Sequence, residues 1–169
     1  MTSAVAVAES GARVEIGPIR VEDAGEVLTL QRAAFVSEAQ IYGSADMPPL
    51  TQTLEQVQEE LRDGIGWTAR IDGRLVGALR ARRDGDLLLI GRIAIAPDVQ
   101  GEGIGRMLLD VAETSTDAVE SELFTGSLSE ANLRLYLRCG YRETERIPQG
   151  DGTEQVFLRK SLNRRPSES

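Results

Sequence analysis

The chain has no histidine and a single cysteine, Cys139, among its 169 residues. Without histidine there is no Ser-His-Asp or Cys-His relay and no imidazole for a zinc site. One cysteine permits neither an intrachain disulfide nor a cysteine-rich metal site, so no metal is expected. Cys139 sits beside Gly140, where a small buried apolar residue is the expected role and not a nucleophile. Positive charge is also short. Lys and Arg number 19 against 27 Asp and Glu, a net charge of −8, which opposes general nucleic-acid binding. No apolar run approaches the ~18 residues of a membrane span. The start, MTSAVAVAESGARVEIG, lacks a basic n-region, and its apolar piece is too short and interrupted for a leader peptide. These absences lead us to expect a cytoplasmic protein with no membrane or nucleic-acid partner.

What is present is an ordinary globular balance, 41% apolar and 27% charged, at a length suited to one domain. The chain is organised around Arg92 to Leu109, RIAIAPDVQGEGIGRMLL. Ile93-Ala94-Ile95-Ala96 has the β-branched content of a buried strand. Pro97 ends it, having no N–H for the next rung. Gly101, Gly103 and Gly105 follow at alternate positions. Ile104, Leu108 and Ala112 then recur at helical spacing.

Strand, glycine-rich turn and helix together make an anion site. The first N–H groups of a helix have no intrahelical partner and carry roughly +0.5 of dipole charge. Glycines let a phosphate approach without a Cβ in the way. A P-loop would need Gly-Lys-Ser/Thr where this chain has Gly105-Arg106-Met107, and a dinucleotide fingerprint would need glycine at Arg106. Neither pattern is met. An ordinary glycine-rich β-to-α turn is the alternative that the loop alone allows.

Along the chain, residues 1–12 and 162–169 are expected to be disordered tails around a domain at 13–161. Val14, Ile16 and Ile19 suggest a first strand. A helix near Asp23 carries Val27, Leu30 and Ala34 and should run to about Val36. Ser37 to Pro49 should be irregular. Leu54, Val57 and Leu61 mark a helix capped by Thr51 or Thr53. Trp67–Ile71, Leu75–Ala81 and Asp86–Ala96 are expected strands turned at Asp72-Gly73 and Asp84-Gly85. After the loop helix come a strand at Glu120–Thr125 and a helix with Leu133 and Leu137 on one face, ended by Gly140. Strands at Tyr141–Arg146 and Thr153–Lys160 close the chain.

The phrase Gln100-Gly101-Glu102-Gly103-Ile104-Gly105, preceded by Ile95-Ala96-Pro97, resembles the pyrophosphate loop of the GNAT superfamily of acyl-CoA-dependent N-acyltransferases. Asn132-Leu133-Arg134-Leu135-Tyr136, running on to Gly140-Tyr141, resembles a second phrase of that family. Asn132 and Tyr136 lie four apart, on one helical face. The element order also matches over roughly residues 13–161. The resemblance implies an α/β (α+β) fold with a mostly antiparallel sheet of six or seven strands and about four helices.

It further implies acetyl-CoA as co-substrate and direct transfer of acetyl to a primary amine of a small molecule within a ternary complex. Main-chain groups of Ile93, Ala94 and Ile95 would pair with pantetheine. Main-chain N–H groups of Gln100, Gly101, Glu102, Gly103, Ile104 and Gly105 would cradle the pyrophosphate, with the Glu102 carboxylate turned away. Asn132 would bond the cofactor arm, and Tyr136 would protonate the departing sulfur. Arg106 either reaches the 3′-phosphate or merely solvates its helix. For the acceptor, Glu38 and Asp46 are candidate bases, with Tyr42 and Trp67 as candidate walls. Each of these four reads first as a loop or surface residue. A protein amine, a longer acyl chain, an acyl-CoA sensor without catalysis and a homodimer remain open.

Overall fold

Alternation of apolar residues builds the first strands. In β2 (Arg13–Pro18), Val14 and Ile16 are buried while Arg13 and Glu15 face outward. A strand precedes it: β1 (Ala4–Val7) pairs antiparallel with β2, Val5 opposite Glu15. The computed structural model describes residues 3–162. The expected N-terminal tail is therefore corrected for residues 4–7, and the tail positions 1–2 and 163–169 lie outside the described residues. Val5 and Val7 stay exposed, so β1 is held by main-chain bonds to β2 and not by burial. A hydrophobic pattern does not register that kind of strand.

Helix α1 (Ala24–Tyr42) begins where Asp23 Oδ2 accepts the Arg20 N–H at 2.8 Å, and it buries Val27, Leu28, Leu30 and Gln31. It passes the expected end at Val36, because nothing in Ser37–Tyr42 breaks a helix; Gly43, at φ 68°, does. Residues 37–42 are thus helical and not irregular, and Pro48–Thr51 adds a short α2. Helix α3 (Leu54–Asp63) carries a reciprocal cap. Thr53 Oγ1 accepts the Gln56 N–H at 3.2 Å, and Gln56 Oε1 accepts the Thr53 N–H at 2.9 Å. Val57 and Leu61 are buried as the spacing requires, whereas Leu54, in the first turn, is exposed.

The remaining elements are β3 (Ile65–Ile71), β4 (Arg74–Asp84), β5 (Leu87–Ile95), α4 (Ile104–Thr114), β6 (Glu120–Gly126), α5 (Glu130–Arg138), β7 (Arg142–Pro148) and β8 (Glu154–Ser161). They complete one eight-stranded sheet in the order β1-β2-β3-β4-β5-β6-β8-β7, antiparallel except between β5 and β6. The fold is the expected α/β (α+β) type with more strands than the six or seven anticipated, β1 being the addition.

Helix α4 buries Ile104, Leu108 and Ala112 against the sheet. It can approach closely because residue 77 is glycine: a Cβ there would lie 2.9 Å from Ile104 Cγ2 and 3.0 Å from Leu108 Cδ1. In α5 the inward face differs from the expected Leu133/Leu137 pair. Tyr136 is buried and Leu133 half-buried, while Leu137 faces solvent.

Two departures from regular pairing open the sheet. β5 and β6 pair only from Leu87↔Glu120 to Leu89↔Glu122, after which both strands continue without a ladder between them. At the same point Arg80 faces Arg92 but Ala81 faces Ile90, so Gly91 is an extra residue in β5. A bulge of this kind bends its strand and disrupts the ladder locally.

Candidate active site

The parting of β5 and β6 leaves a wedge of about 400 Å³ between Gly91–Ile93 on one side and Leu123–Gly126 on the other. The end of α1 and helix α5 contribute Glu38, Tyr42, Asn132 and Tyr136 to it. Beyond Gly91 and Arg92 it adjoins a larger cleft, about 960 Å³, walled by α3 and by Phe124 and Phe157.

Main-chain direction along β5 follows from one bond. The Ala96 N–H donates to the Val76 carbonyl at 2.8 Å, so residue 96 faces β4. Antiparallel pairs alternate, so Ala94 also turns its N–H and C=O toward β4, where Ala78 lies opposite. Ile93 and Ile95 therefore turn theirs toward the parted side. Of the three residues expected to offer main-chain groups to a ligand there, Ala94 is the one the register withdraws.

The glycine loop ends in the N-terminus of α4. Gly101 and Gly103 adopt φ of 82° and 86°, a region costly for any residue with a Cβ, and neither would press a Cβ against a neighbour. The first helical bond is Met107 N–H to Gly103 C=O at 3.1 Å. The N–H groups of Ile104, Gly105 and Arg106 precede it and have no acceptor among the described residues. Glu102 points away from them. Its carboxylate accepts the Ser10 N–H at 2.7 Å and its carbonyl the Glu9 N–H at 3.2 Å, tying the loop to the turn after β1. Gly105 packs on α5, where a Cβ would lie 3.2 Å from Leu135 Cδ2. That contact sets the helix N-terminus beside the helix that carries Asn132 and Tyr136. Gln100 and Arg106 are exposed at the loop and in the first turn of α4.

Asn132 Nδ2 approaches Thr125 Oγ1 at 3.4 Å, which keeps its amide directed into the wedge. Tyr136 is 8% exposed, and its hydroxyl has no hydrogen-bond partner among the described residues. Burial, with smaller effects from Glu38 and Cys139, raises its pKa above the ordinary phenol value. The ring packs edge-on to Tyr141 at 6.3 Å between centroids. Tyr141 is raised too, chiefly by burial, and its hydroxyl bonds Ser121 and Glu113. A phenol held neutral in the fold ionises more readily in the unfolded chain. Its stabilisation is complete below about pH 10 and is lost as pH climbs past that value. Thermal melts should therefore hold their midpoint to about pH 9.5 and fall above about pH 10, with a shallower fall in Tyr136→Phe.

The four acceptor-side candidates separate. Glu38 lines the wedge, but its Oε2 accepts the Ser129 hydroxyl at 2.6 Å. Tyr42 also lines it, bonded to Ser129 Oγ at 2.8 Å and accepting the Leu128 N–H at 3.1 Å. Asp46 is a correction: it is exposed in the turn after α1 and borders neither opening, because α1 runs longer than expected. Trp67 is a second correction. It is 2% exposed in the core, opposite Leu79, with Nε1 unpartnered among the described residues.

Tyr42 fits only because residue 126 is glycine; a Cβ there would lie 1.9 Å from the Tyr42 hydroxyl oxygen. Gly126→Ala should eject the ring, break its bonds to Ser129 and Leu128, and lower Tm by several degrees, measured by calorimetry.

The floor between the openings holds a polar network that sequence reasoning did not find. Arg80 ion-pairs Glu60 and donates to Gln31 Oε1 at 2.9 Å. Gln52 Oε1 accepts from Gln31 at 2.9 Å and from Arg92 at 2.6 Å, and Gln52 Nε2 donates to Glu60 at 2.6 Å. These residues come from α1, α3, the α2–α3 link and two strands, so no local spacing connects them.

A wedge beside a bulged strand, lined by a helix on which a glycine-cradled helix N-terminus packs, is the geometry in which comparison with known proteins becomes informative. Residues 62–143, covering β3, β4, β5, the loop, α4, β6 and α5, match the family model of the acetyltransferase (GNAT) domain. The matched stretch, just under half of the chain, is similar to that domain. It is 28% identical over 130 residues to the UPF0157 protein YqkA of Bacillus subtilis (strain 168). That match takes in 76% of this chain and 37% of YqkA, so the chain spans little more than a third of its relative.

Among solved structures it is similar to the PaiA N-acetyltransferase of Thermoplasma acidophilum in complex with coenzyme A. The TM-score is 0.72 at 17% identity, over 88% of this chain and 98% of that one. It is likewise similar to the ribosomal-protein-S18-alanine N-acetyltransferase of Escherichia coli, with TM-score 0.72 at 17% identity over 92% and 98% of the two chains. At such identities these likenesses establish the GNAT fold alone. Among the described residues, no helix of this chain is long and apolar enough to cross a membrane.

Proposed function

We propose that the protein is an N-acetyltransferase that moves an acetyl group from acetyl-CoA to a primary amine of a small molecule. The observation that carries this reading is that Ile93, on the unpaired edge of β5, and Tyr136, with its unpartnered hydroxyl, line one wedge. The free N–H groups of Ile104, Gly105 and Arg106 lie at the end of α4 that packs on Leu135 of α5, the helix that carries Tyr136. A linear cofactor with a diphosphate at one end and amides along its arm suits that arrangement. The loop would hold the diphosphate, Ile93 and Ile95 would pair with the amides, and Asn132 would fix the arm.

Bound acetyl-CoA supplies an acyl carbon activated as a thioester. Main-chain groups at the Gly91 bulge are suited to polarise its carbonyl. Tyr136, kept neutral by burial, holds a proton for the sulfur that departs as the new C–N bond forms, and regains one from solvent. The acceptor amine would enter from the larger cleft and give its proton to water. Glu38 is engaged by Ser129, so it serves better as a support for Ser129 and Tyr42 than as a base.

Release of free CoA thiol, measured over a panel of small primary amines, tests the reading. Amine-dependent release with a matching N-acetylated product is expected. No product from any small amine, with acetylation of a peptide N-terminus or lysine instead, would replace the small-molecule acceptor with a protein one.

A further inference from the structure

Among its side-chain contacts the network beneath the larger cleft joins the guanidinium groups of Arg80 and Arg92 to one carboxylate, with Arg32 donating to the Gln52 carbonyl at 3.1 Å. Glu60 is fully committed, one oxygen to Arg80 and the other to Gln52. Arg92 is left with a single hydrogen bond, to the neutral Gln52 amide oxygen, and no ion pair among the described residues. It is half-buried, walls both the wedge and the larger cleft, and follows directly after Gly91 in the chain. The charges acting on it are Arg80, which repels it, and Glu60, which attracts it. Burial and Arg80 bring its pKa down to about 10, so it is still a cation at neutral pH.

A desolvated cation without a counter-charge is costly, and an isosteric neutral residue would remove that cost. The other four guanidinium N–H donors have no acceptor among the described residues, and the group's fork matches a carboxylate. Gln52 fixes the group from one side, as a support for a binding residue should. Of the acidic side chains that line the two openings with Arg92, Glu122 is held by Arg159 at 2.7 Å, Glu60 by Arg80 and Glu38 by Ser129, and neither Glu59 nor Asp63 forms an ion pair with it.

We propose that Arg92 binds a carboxylate on the acceptor, so that the amine receiving the acetyl group belongs to an amino acid or a similar carboxylate-bearing amine. This rests on the acetyl-transfer reading above and adds to it the class of acceptor. Arg92 borders both the larger cleft and the wedge, so a carboxylate seated on it from the cleft would hold the nearby amine at the mouth of the wedge.

The test compares amino acids with their amides and with the corresponding decarboxylated amines, in wild type, Arg92→Gln and Arg92→Lys. The quantity read is the ratio of kcat/KM for acid over amide, in which differences in amine basicity cancel between variants. Binding of the same compounds to the protein–CoA complex is measured by calorimetry, and melting curves establish that each variant is folded. The wild type should favour the acid. Arg92→Gln should reduce that ratio by roughly 10- to 100-fold, mainly through KM, and Arg92→Lys should restore part of it.

A ratio near one in the wild type, or one unchanged in Arg92→Gln, overturns the proposal while leaving acetyl transfer standing. If no amine is acetylated but the acid still binds better than its amide, and loses that advantage in Arg92→Gln, the carboxylate site stands and the transferase reading falls. If the acid is neither acetylated nor preferentially bound, the proposal is wrong.

Discussion

Gly103→Glu should abolish binding of acetyl-CoA, a loss of at least about 100-fold in affinity. Three effects act in one direction. Gly103 sits at φ 86°, where a Cβ costs roughly 1–2 kcal/mol. The new side chain would also stand beside the bare N–H groups of Ile104, Gly105 and Arg106, in the space the diphosphate needs. Its carboxylate would both repel phosphate and compete for those donors. Only Met107 Cε comes within 4.0 Å of the added Cβ, so the variant has room to fold. Calorimetric titration beside a melting curve checks this: a folded variant that binds within threefold of wild type would remove the loop from the cofactor site.

Tyr136→Phe should lower kcat by about 100-fold while the affinity for acetyl-CoA stays near that of wild type. General acids at this step typically contribute 10²–10⁴ in rate. The substitution deletes an oxygen that has no protein partner among the described residues and leaves the ring contact with Tyr141 in place. Little stability should be lost, which separates a missing proton from a damaged fold. Steady-state kinetics at saturating substrates give the answer, and unchanged turnover would exclude Tyr136 from the chemistry.

Much of this was legible because the informative residues are close in sequence. Ile104, Leu108 and Ala112 announce α4, and the glycines announce its entry; both depend on local backbone geometry alone. Thr53 and Asp72-Gly73 are legible for the same reason. Asn132 and Tyr136 share one helical turn, so their common opening could be anticipated.

What was missed depends on contacts across the sheet. Strand β1 is held by its partner and not by its own apolar pattern. The run of α1 through Tyr42 was hidden by attention to composition, though its breaker, Gly43, is in plain view. Trp67 reads as a wall because aromatic residues suit walls; only the sheet register shows that it lies opposite Leu79 in the core. The Arg80–Gln31–Gln52–Arg92–Glu60 network unites residues up to 61 positions apart, from Gln31 to Arg92, which no periodicity links. The Gly91 bulge likewise exists only as a mismatch between two strands.

The central claim is that the parted strands and the glycine loop form a site for acetyl-CoA. Titration of the wild-type protein with acetyl-CoA, run beside ATP and NAD, tests it most directly. The account predicts micromolar binding of acetyl-CoA and much weaker heats with the other two. Folded protein that shows no heat with acetyl-CoA, or that binds all three alike, would contradict it and return the loop to an ordinary turn.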